Sequence, residues 1–288
     1  MTAAAPLLCR SALYMPAANA RALEKARGLD ADCLIFDLED AVAPDAKETA
    51  RAQLCDALAA GGYGDRLCVA RVNGAETPWG RDDLEALAAR PPDAVLFPKI
   101  SHPDDLTAAA QGLPEGVALW AMIETPQAIL HIEKLAARTA DTPLACFVLG
   151  TNDLAKELRT PPSPDRAALL TALSLSVLAA RAHGLCVIDG VFNDIADTEG
   201  FAAECRQGAM LGFDGKTLIH PDQLAEANRV FAPDAEEIVE AKAILAAFEM
   251  PENAGQGVIT VEGKMVELLH RDRAAQLVAR AAAIEARR

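Results

Sequence analysis

Short apolar segments recur along the first 220 residues of this chain, and stretches with helical spacing separate them. The apolar segments occupy residues 12–16, 33–38, 67–72, 94–98, 118–123, 144–149, 185–191 and 209–213. They are apolar on both faces of an extended chain, which is typical of parallel strands covered by helices. Eight strand–helix units in succession predict an α/β fold, a closed (β/α)8 TIM barrel. An open doubly wound sheet is less suitable, because no G-x-G-x-x-G segment follows the first strand.

The stretches between the strands carry helix signals. Helical spacing extends over residues 45–60, 81–90, 126–139 and 164–183, and proline-containing starts precede three of them. After about residue 222 the pattern changes to two helical stretches, 222–248 and 265–287, joined by a glycine-containing turn over 251–263. We therefore predict a barrel over residues 1–222 and a C-terminal helical extension over residues 223–288.

Composition limits the classes of partner. The chain of 288 residues has a formal net charge of −15, which argues against binding to nucleic acid or to an anionic membrane. Its seven cysteines form no C-x-x-C pair, and several lie in apolar segments, as reduced thiols of a cytoplasmic protein do. The first residues lack the basic region of a signal peptide, and no apolar run reaches the roughly 20 residues of a membrane span.

Charged side chains concentrate where the predicted strands end. In order along the chain these ends carry Asp37-Leu38-Glu39-Asp40, Arg71-Val72-Asn73-Gly74, Lys99, Glu124, Gly150-Thr151-Asn152-Asp153, Asp189 with Asn193-Asp194, and Asp214-Gly215-Lys216. In a TIM barrel the carboxyl ends of the strands form the rim that holds the active site. The sequence therefore predicts a site rich in carboxylates at this rim.

Glu124 and Asp153 follow consecutive strands, so their carboxylates should converge. Two carboxylates beside open space suit Mg²⁺, which takes one or two such ligands and completes its shell with water and substrate. Zinc fits poorly, because the chain has no H-E-x-x-H segment and its five histidines are scattered. The alternative is structural: Glu124 would pair with Arg71 or Lys99, and Asp153 would cap the helix that follows it.

Several motifs occur in the order of a known family. They are RSALYMP (10–16), FDLEDAV (36–42), RVNG (71–74), LFPKI (96–100), MIETP (122–126), GTNDLA (150–155), GFDGKTLIHPDQ (212–223) and EGKMVE (262–267). With these motifs the chain resembles the citrate lyase β-chain-like CoA-ester lyases, the group that includes malyl-CoA and citramalyl-CoA lyases. The resemblance covers nearly the whole length. One departure is Pro16-Ala17, where the family often has Pro-Gly, so a close approach of CoA at this turn is in doubt.

The resemblance implies roles for individual residues. It implies that Glu124 and Asp153 bind Mg²⁺, with Mn²⁺ as a substitute, and that Arg71 faces the oxygens of the 2-keto acid. It also implies that Arg10 and Lys25 lie along the CoA phosphates.

Other rim residues would support these groups. We expect Glu39 and Asp40 to hold metal-bound waters or to orient Arg71 and Lys99, the alternative being an ordinary ion-pair network.

The resemblance also concerns the C-terminal segment. An acidic residue there, here Glu267, would reach the active site of a neighbouring subunit and act on the enolate proton or on the thioester. The protein would then be a homo-oligomer, a trimer or a hexamer. The alternative is that Glu267 only opens the final helix, where a carboxylate interacts favourably with the helix dipole.

The resemblance implies a magnesium-dependent carbon–carbon lyase. It would cleave a malyl-, citramalyl- or citryl-CoA to acetyl-CoA and a 2-keto acid, with Mg²⁺ and Arg71 stabilising the developing alkoxide. Two alternatives remain open. One is a thioesterase or a malate synthase-like activity on malyl-CoA; the other is a citrate lyase β subunit that uses an acyl-carrier thioester. The sequence does not distinguish glyoxylate, pyruvate and oxaloacetate as the keto acid.

Overall fold

Eight parallel strands form a closed barrel in the computed structural model, which describes residues 7–287. The strands are β1 (Ser11–Pro16), β2 (Cys33–Asp37), β3 (Leu67–Arg71), β4 (Ala94–Phe97), β5 (Ala118–Ile123), β6 (Leu144–Leu149), β7 (Cys186–Asp189) and β8 (Gly215–Leu218). Each strand pairs with the next, and β8 pairs with β1 through the register Leu13↔Leu218. The predicted TIM barrel is confirmed.

Helices connect the strands, as parallel pairing requires. In the barrel these are α1 (Ala20–Ala26), α2 (Lys47–Ala60), α3 (Gly80–Ala88), α4 (Pro103–Gly112), α5 (Pro126–Leu130), α6 (Ile132–Ala136), α7 (Thr151–Leu158), α8 (Leu170–His183), α9 (Thr198–Leu211) and α10 (Leu224–Val230). The predicted start at Thr125 is correct: its side chain accepts a hydrogen bond from the Ala128 N–H, and Pro126 is the first helical residue. The helix predicted over residues 164–183 begins later than expected, at Leu170.

The inside of the barrel is filled by side chains and is not a channel. Ile35, Leu96, Trp120 and Val148 are at most 1% exposed and pack together there. The polar residues lie beyond this core, at the carboxyl ends of the strands.

The eighth predicted strand, over residues 209–213, was wrong. Residues up to Leu211 belong to α9, which ends with Gly212 in the left-handed conformation, a common way to terminate a helix. The strand follows at Gly215–Leu218 and contains the charged Lys216, so its pattern is less apolar than that of the helix end before it. Gly215 is required here, because a Cβ at this position would overlap the Cys9 backbone.

Residues 7–8 and 231–287 form a second compact unit, whereas residues 9–230 form the barrel unit. The second unit contains α11 (Ala235–Glu249), an antiparallel hairpin of β9 (Val258–Val261) and β10 (Lys264–Glu267), and α12 (Leu268–Ala286). The predicted boundary lay at residue 222, and residues 258–267 were predicted to belong to a turn and a helix. Gly263, with φ of 79°, makes the hairpin turn.

Two further features concern the chain as a whole. Among residues 7–287, the structure contains no helix with the length and apolarity needed to span a bilayer. All seven cysteines are free thiols, five of them buried.

Candidate active site

A cavity of about 400 Å³ opens at the carboxyl ends of the strands. Its lining consists of Tyr14, Pro16, Asp37, Asp40, Ala41, Arg71, Met122, Glu124, Leu149, Gly150, Thr151, Asn152, Asp153, Val191, Asn193, Thr217 and Ile219. The structure therefore brings Arg71, Glu124, Asp153 and Asp40 together, as the strand ends predicted.

Glu124 follows β5 directly and is only 2% exposed. Burial raises the pKa of its carboxyl, and Lys99 opposes this rise. The Lys99 backbone N–H donates to Glu124 Oε1 at 2.7 Å, and the Lys99 ammonium lies 3.4 Å from the same oxygen. Lys99 has φ of 57°, an uncommon conformation outside glycine, and this turn directs its N–H toward Glu124.

Asp153 lies in the first turn of α7 and forms an ion pair with the Lys99 ammonium. Lys99 therefore lies between the two carboxylates, and one positive charge holds them together. Burial alone would lower the pKa of Lys99, but Asp153 and Glu124 raise it above its usual value. The structural alternative is present in part, since Glu124 pairs with Lys99, whereas the Asp153 side chain does not cap α7.

Gly150 leaves room for the Glu124 side chain. A Cβ at Gly150 would overlap Glu124 Cβ and Oε2. The glycine of the GTND segment is thus explained by a close approach of the neighbouring strand end.

Arg71 ends β3 and is enclosed by three carboxylates. Its Nε and Nη2 donate to both oxygens of Asp37, at 2.7 and 2.6 Å, in a bidentate pair. Its Nη1 lies 3.0 Å from Glu39 and 3.3 Å from Asp40. The Arg71 Cζ lies over the Tyr14 ring, 4.9 Å from its centroid. Asp37 thus occupies the Nε and Nη2 side of the Arg71 guanidinium. Nη1 lies on the other side, beside Met122 and the cavity.

Glu39 is the carboxyl with the largest shift in this group. Burial, together with Asp40 and Glu124, raises its pKa to about 8 against the opposing effect of Arg71.

The donor set fits a divalent cation such as Mg²⁺. The cavity lining and its ion-pair partners include five carboxylates and two cations, an excess of negative charge that would repel an anionic acid. The Lys99 ammonium stands as a positive charge between Glu124 and Asp153, in the place where a cation would be stabilised. No group of three or more His, Cys, Asp or Glu side chains disposed as a metal cage occurs in residues 7–287, so the set is two carboxylates rather than a zinc-type cage.

Arg10 and Lys25 are not among the residues that line this cavity, and Glu267 belongs to the second unit. Arg10 precedes β1 at the amino end of the barrel, is 7% exposed and pairs with Asp32 through Nε and Nη2 at 2.8 Å each. This placement argues against the expected contact of Arg10 with CoA phosphates, and we do not retain it. Lys25 is exposed on α1. Glu267 ends β10 in the C-terminal unit, where its backbone N–H donates to His270 Nδ1 at 3.0 Å.

The rim assignments for the last two strands also need correction. Asp189 is fully buried and faces Arg166 and Lys216 instead of the cavity. Asp214 precedes β8 at its amino end and pairs with Arg181. The error at Asp214 follows from the misplaced eighth strand, whereas Asp189 is at the end of a correctly predicted strand but pairs with Arg166 and Lys216.

Sequence reasoning missed two residues of the site. Asp37, the bidentate partner of Arg71, was noted at its strand end, but Glu39 and Asp40 were chosen in its place. Asp37 is the last residue of β2 and so points inward with the other alternate positions of that strand, a signal that was available. Tyr14 could have been found in the same way, as the one polar-tipped aromatic side chain in the first strand.

Comparison with known proteins places this geometry in a family. A model described as HpcH/HpaI aldolase/citrate lyase matches residues 10–221, and one described as a C–C bond lyase of the TIM-barrel fold matches residues 165–284. A "(3S)-malyl-CoA thioesterase" of Cereibacter sphaeroides is 53% identical over 277 residues, 96% of each chain. The "Citrate lyase subunit beta" of Escherichia coli K12 is 35% identical over 94% of this chain and 93% of that protein.

A solved structure is also similar. The protein CitE from Mycobacterium tuberculosis, in complex with magnesium, acetoacetate and coenzyme A, has a TM-score of 0.78 and 29% identity, and the match covers 96% of this chain and 98% of that one. The resemblance inferred from the motifs is confirmed at the level of the family. With a barrel, a rim of carboxylates and matches along its whole length, the chain belongs to the HpcH/HpaI aldolase/citrate lyase family of carbon–carbon lyase enzymes.

Proposed function

We propose that this enzyme binds Mg²⁺ at Glu124 and Asp153 and cleaves a malyl-CoA-type thioester to acetyl-CoA and a 2-keto acid. The observation that carries the proposal is the pair of carboxylates held around one positive charge beside Arg71. The magnesium and coenzyme A of the CitE complex support both ligands.

The reaction develops negative charge in two places. The 3-hydroxyl loses its proton and becomes a carbonyl, and the electron pair of the broken carbon–carbon bond forms the enolate of acetyl-CoA. A proton then adds to the enolate carbon. When bound, Mg²⁺ supplies a Lewis acid for the hydroxyl and carboxylate oxygens of the acid.

Arg71 orients the acid end of the substrate. Its Nε and Nη2 are occupied by Asp37, so the guanidinium cannot rotate and its Nη1 edge is directed toward the cavity. A donor fixed in this way stabilises charge without having to reorganise during the reaction. Glu39 and Asp40 hold the other side of Nη1.

Further parts of the proposal concern regions outside the cavity. We propose that Lys25 contacts the phosphates of CoA and that Glu267 of a neighbouring subunit supplies the proton to the enolate carbon. The oligomer would be a homotrimer or a homohexamer, and the compartment the cytoplasm.

A second candidate is hydrolysis of malyl-CoA to malate and free CoA. It is favoured by the 53% identity to the Cereibacter thioesterase over 96% of both chains. In this reaction water adds to the thioester carbonyl and the CoA thiol leaves, while Glu124, Asp153 and Arg71 only hold the malyl carboxylate and hydroxyl.

Product analysis distinguishes the two reactions. Purified protein is incubated with malyl-, citramalyl- or citryl-CoA, with Mg²⁺ or with EDTA, and the keto acid and the free thiol are both quantified. Keto acid without free thiol establishes the lyase, and free thiol without keto acid establishes the thioesterase. If neither product forms from any of the three thioesters, the substrate class is wrong; if EDTA has no effect, the metal assignment is wrong.

A further inference from the structure

Lys47, the first residue of α2, is a buried lysine that does not line the cavity. It is 6% exposed, and its ammonium donates three hydrogen bonds of 2.7 Å each. The acceptors are the backbone carbonyls of Leu38 and Glu39 and the side-chain oxygen of Asn73. The Trp79 ring covers the remaining side, with its centroid 5.3 Å from Nζ.

All three acceptors are uncharged, which makes the position unusual for a lysine. Among residues 7–287 no carboxylate lies within ion-pair distance of Lys47, although a buried charge normally has one. Lysine is the side chain that offers three N–H donors and no acceptor, so it satisfies three converging oxygens at once. In the neighbouring group, Asp37, Glu39 and Asp40 outnumber Arg71. These carboxylates favour the charge of Lys47 from a greater distance.

The three acceptors belong to two different strand ends. Leu38 and Glu39 form the turn after β2, and Asn73 lies in the turn after β3, two residues beyond Arg71. Asn73 continues the connection, since its Nδ2 donates to the Leu38 carbonyl at 3.0 Å and to Asp83 at 2.6 Å. The ammonium thus joins the turn that presents Glu39 to the turn that follows Arg71.

We propose that Lys47 is a positioning residue for the active site, which holds the β2 and β3 turns together so that Arg71 keeps its orientation toward the cavity. Lys47 acts through Glu39 and Asn73 and touches no reacting group. Through Lys47, the start of α2 in the segment PDAKETAR (44–51) supports the active site. The role of Lys47 in holding the two turns together does not depend on which reaction the enzyme catalyses. Only the expected effect on kcat rests on the proposed function.

The first test measures geometry. In Lys47→Met, amide hydrogen exchange followed by mass spectrometry should show faster exchange in peptides covering residues 38–43 and 72–76, with the other strand-end turns unchanged. Lys156→Met, which removes an exposed lysine from α7, is the matched control and should exchange like the wild type. Faster exchange spread evenly over the barrel, or no change in the two turns, would overturn the proposal.

The second test measures activity on the thioester that the wild type turns over. Lys47→Met should lower kcat on the order of 10- to 100-fold with little change in KM, because a displaced catalytic group loses its alignment while the substrate still binds. Lys47→Ala leaves a cavity, and n-propylammonium should restore several-fold activity there, whereas 1-propanol should not. Lys156→Met should keep wild-type kcat.

Unchanged kcat in Lys47→Met would overturn the positioning role. A lower melting temperature of Lys47→Met, without rescue of Lys47→Ala by n-propylammonium, would overturn it as well. If Lys47→Met does not fold, the alanine variant with the amine carries the test. If the wild type is inactive on every thioester, the proposed function fails, and the exchange experiment still decides the role of Lys47.

Discussion

Lys99 shows how one residue can hold two carboxylates that would otherwise repel each other. Its backbone N–H and its ammonium both face Glu124, and the ammonium also pairs with Asp153. A protein rarely places a non-glycine residue at φ of 57° unless the surrounding contacts compensate, and here the contact is with a candidate metal ligand. The backbone conformation of Lys99 and its charge thus both help to hold Glu124 in place.

Removing either carboxylate should abolish turnover and leave the fold intact. Glu124→Gln and Asp153→Asn keep the shape of each side chain but lose the negative charge that a divalent cation requires. We expect activity below one part in about 100 of the wild type for both, with circular dichroism spectra and melting temperatures close to those of the wild type. Full activity in either variant would remove that residue from the metal site.

Arg71→Lys should lose most of its activity although the charge is retained. A single ammonium cannot donate to both oxygens of Asp37 and still present a second edge to the cavity, as the guanidinium does. We expect kcat to fall by about 10²- to 10³-fold. Arg138→Lys, at a surface ion pair with Asp141, serves as the control and should behave like the wild type. A change confined to KM would mean that Arg71 only binds the substrate.

At the scale of elements, β7 and β8 are joined by a buried network of charges. Asp189 accepts two hydrogen bonds from Arg166, at 2.7 and 2.8 Å, and lies 3.3 Å from the Lys216 ammonium. Lys216 also donates to Glu204 on α9 and to the Gly190 carbonyl, 2.6 Å in each case. The network fixes the loop that continues to Val191 and Asn193 in the cavity wall.

This network should make stability depend on pH in acid. Burial would raise the pKa of Asp189, but Lys216 and Arg166 outweigh it and lower the pKa below the usual value for aspartate. A lowered pKa in the folded state means that the stabilisation is present above the unfolded pKa of about 3.9 and is lost as pH falls through the folded value.

The variant Asp189→Asn should therefore be destabilised by about 3 kcal/mol at pH 7, because Arg166 and Lys216 lose one of their two carboxylate partners and keep only Glu204. The difference in unfolding free energy from the wild type should shrink in the acid range below pH 4. Urea unfolding at pH 7 and pH 3 measures both values, and Asp56→Asn, an exposed position on α2, is the control. A difference that stays constant with pH would contradict this origin of stability.

The elements also show where sequence patterns fail. The β-strands from β1 to β7 were predicted nearly to their ends, because they are continuous apolar runs whose both faces are buried. β8 was missed because Lys216 in its middle looks like a surface residue, and only its contacts with Asp189 and Glu204 explain its burial. The hairpin of β9 and β10 was missed because its strands are short and only partly buried.

At the scale of the whole molecule, the rim followed from the order of strands, whereas the pairing of its side chains did not. Consecutive strands of a barrel are neighbours, so Glu124 and Asp153 had to meet. The sequence spacing does not show which carboxylate after β2 accepts the bidentate pair of hydrogen bonds from Arg71. That depends on the directions of the side chains and on the turn to which Lys47 donates. The burial of Arg10 against Asp32 likewise depends on a contact between residues 22 positions apart.

Subunit mixing tests the proposed role of Glu267. If each site combines the barrel of one subunit with the C-terminal segment of another, oligomers exchanged between Glu124→Gln and Glu267→Ala subunits should regain part of the wild-type activity. The gain arises in sites where an intact barrel meets an intact C-terminal segment. Mixing Glu124→Gln with Asp153→Asn is the matched control and should restore nothing, since every barrel is then defective. No recovery after exchange, or an active monomer, would show that Glu267 serves no neighbouring site.

Closure of the barrel has a consequence for how such an enzyme can diversify. In a closed sheet every strand is hydrogen-bonded on both sides, so a shift of one strand would have to be accommodated by all eight. Glu124 and Arg71 are attached to strand ends and are held by this constraint. Ala41 and Asn193 lie in the loops beyond the strands, and Asn152 lies in the first turn of α7. Evolution can therefore vary the turns that contact the variable part of a substrate without disturbing the residues that stabilise charge. Such a separation keeps the charge-stabilising residues constant while the substrate contacts change. It is consistent with a family in which one protein is named a thioesterase and another a citrate lyase subunit.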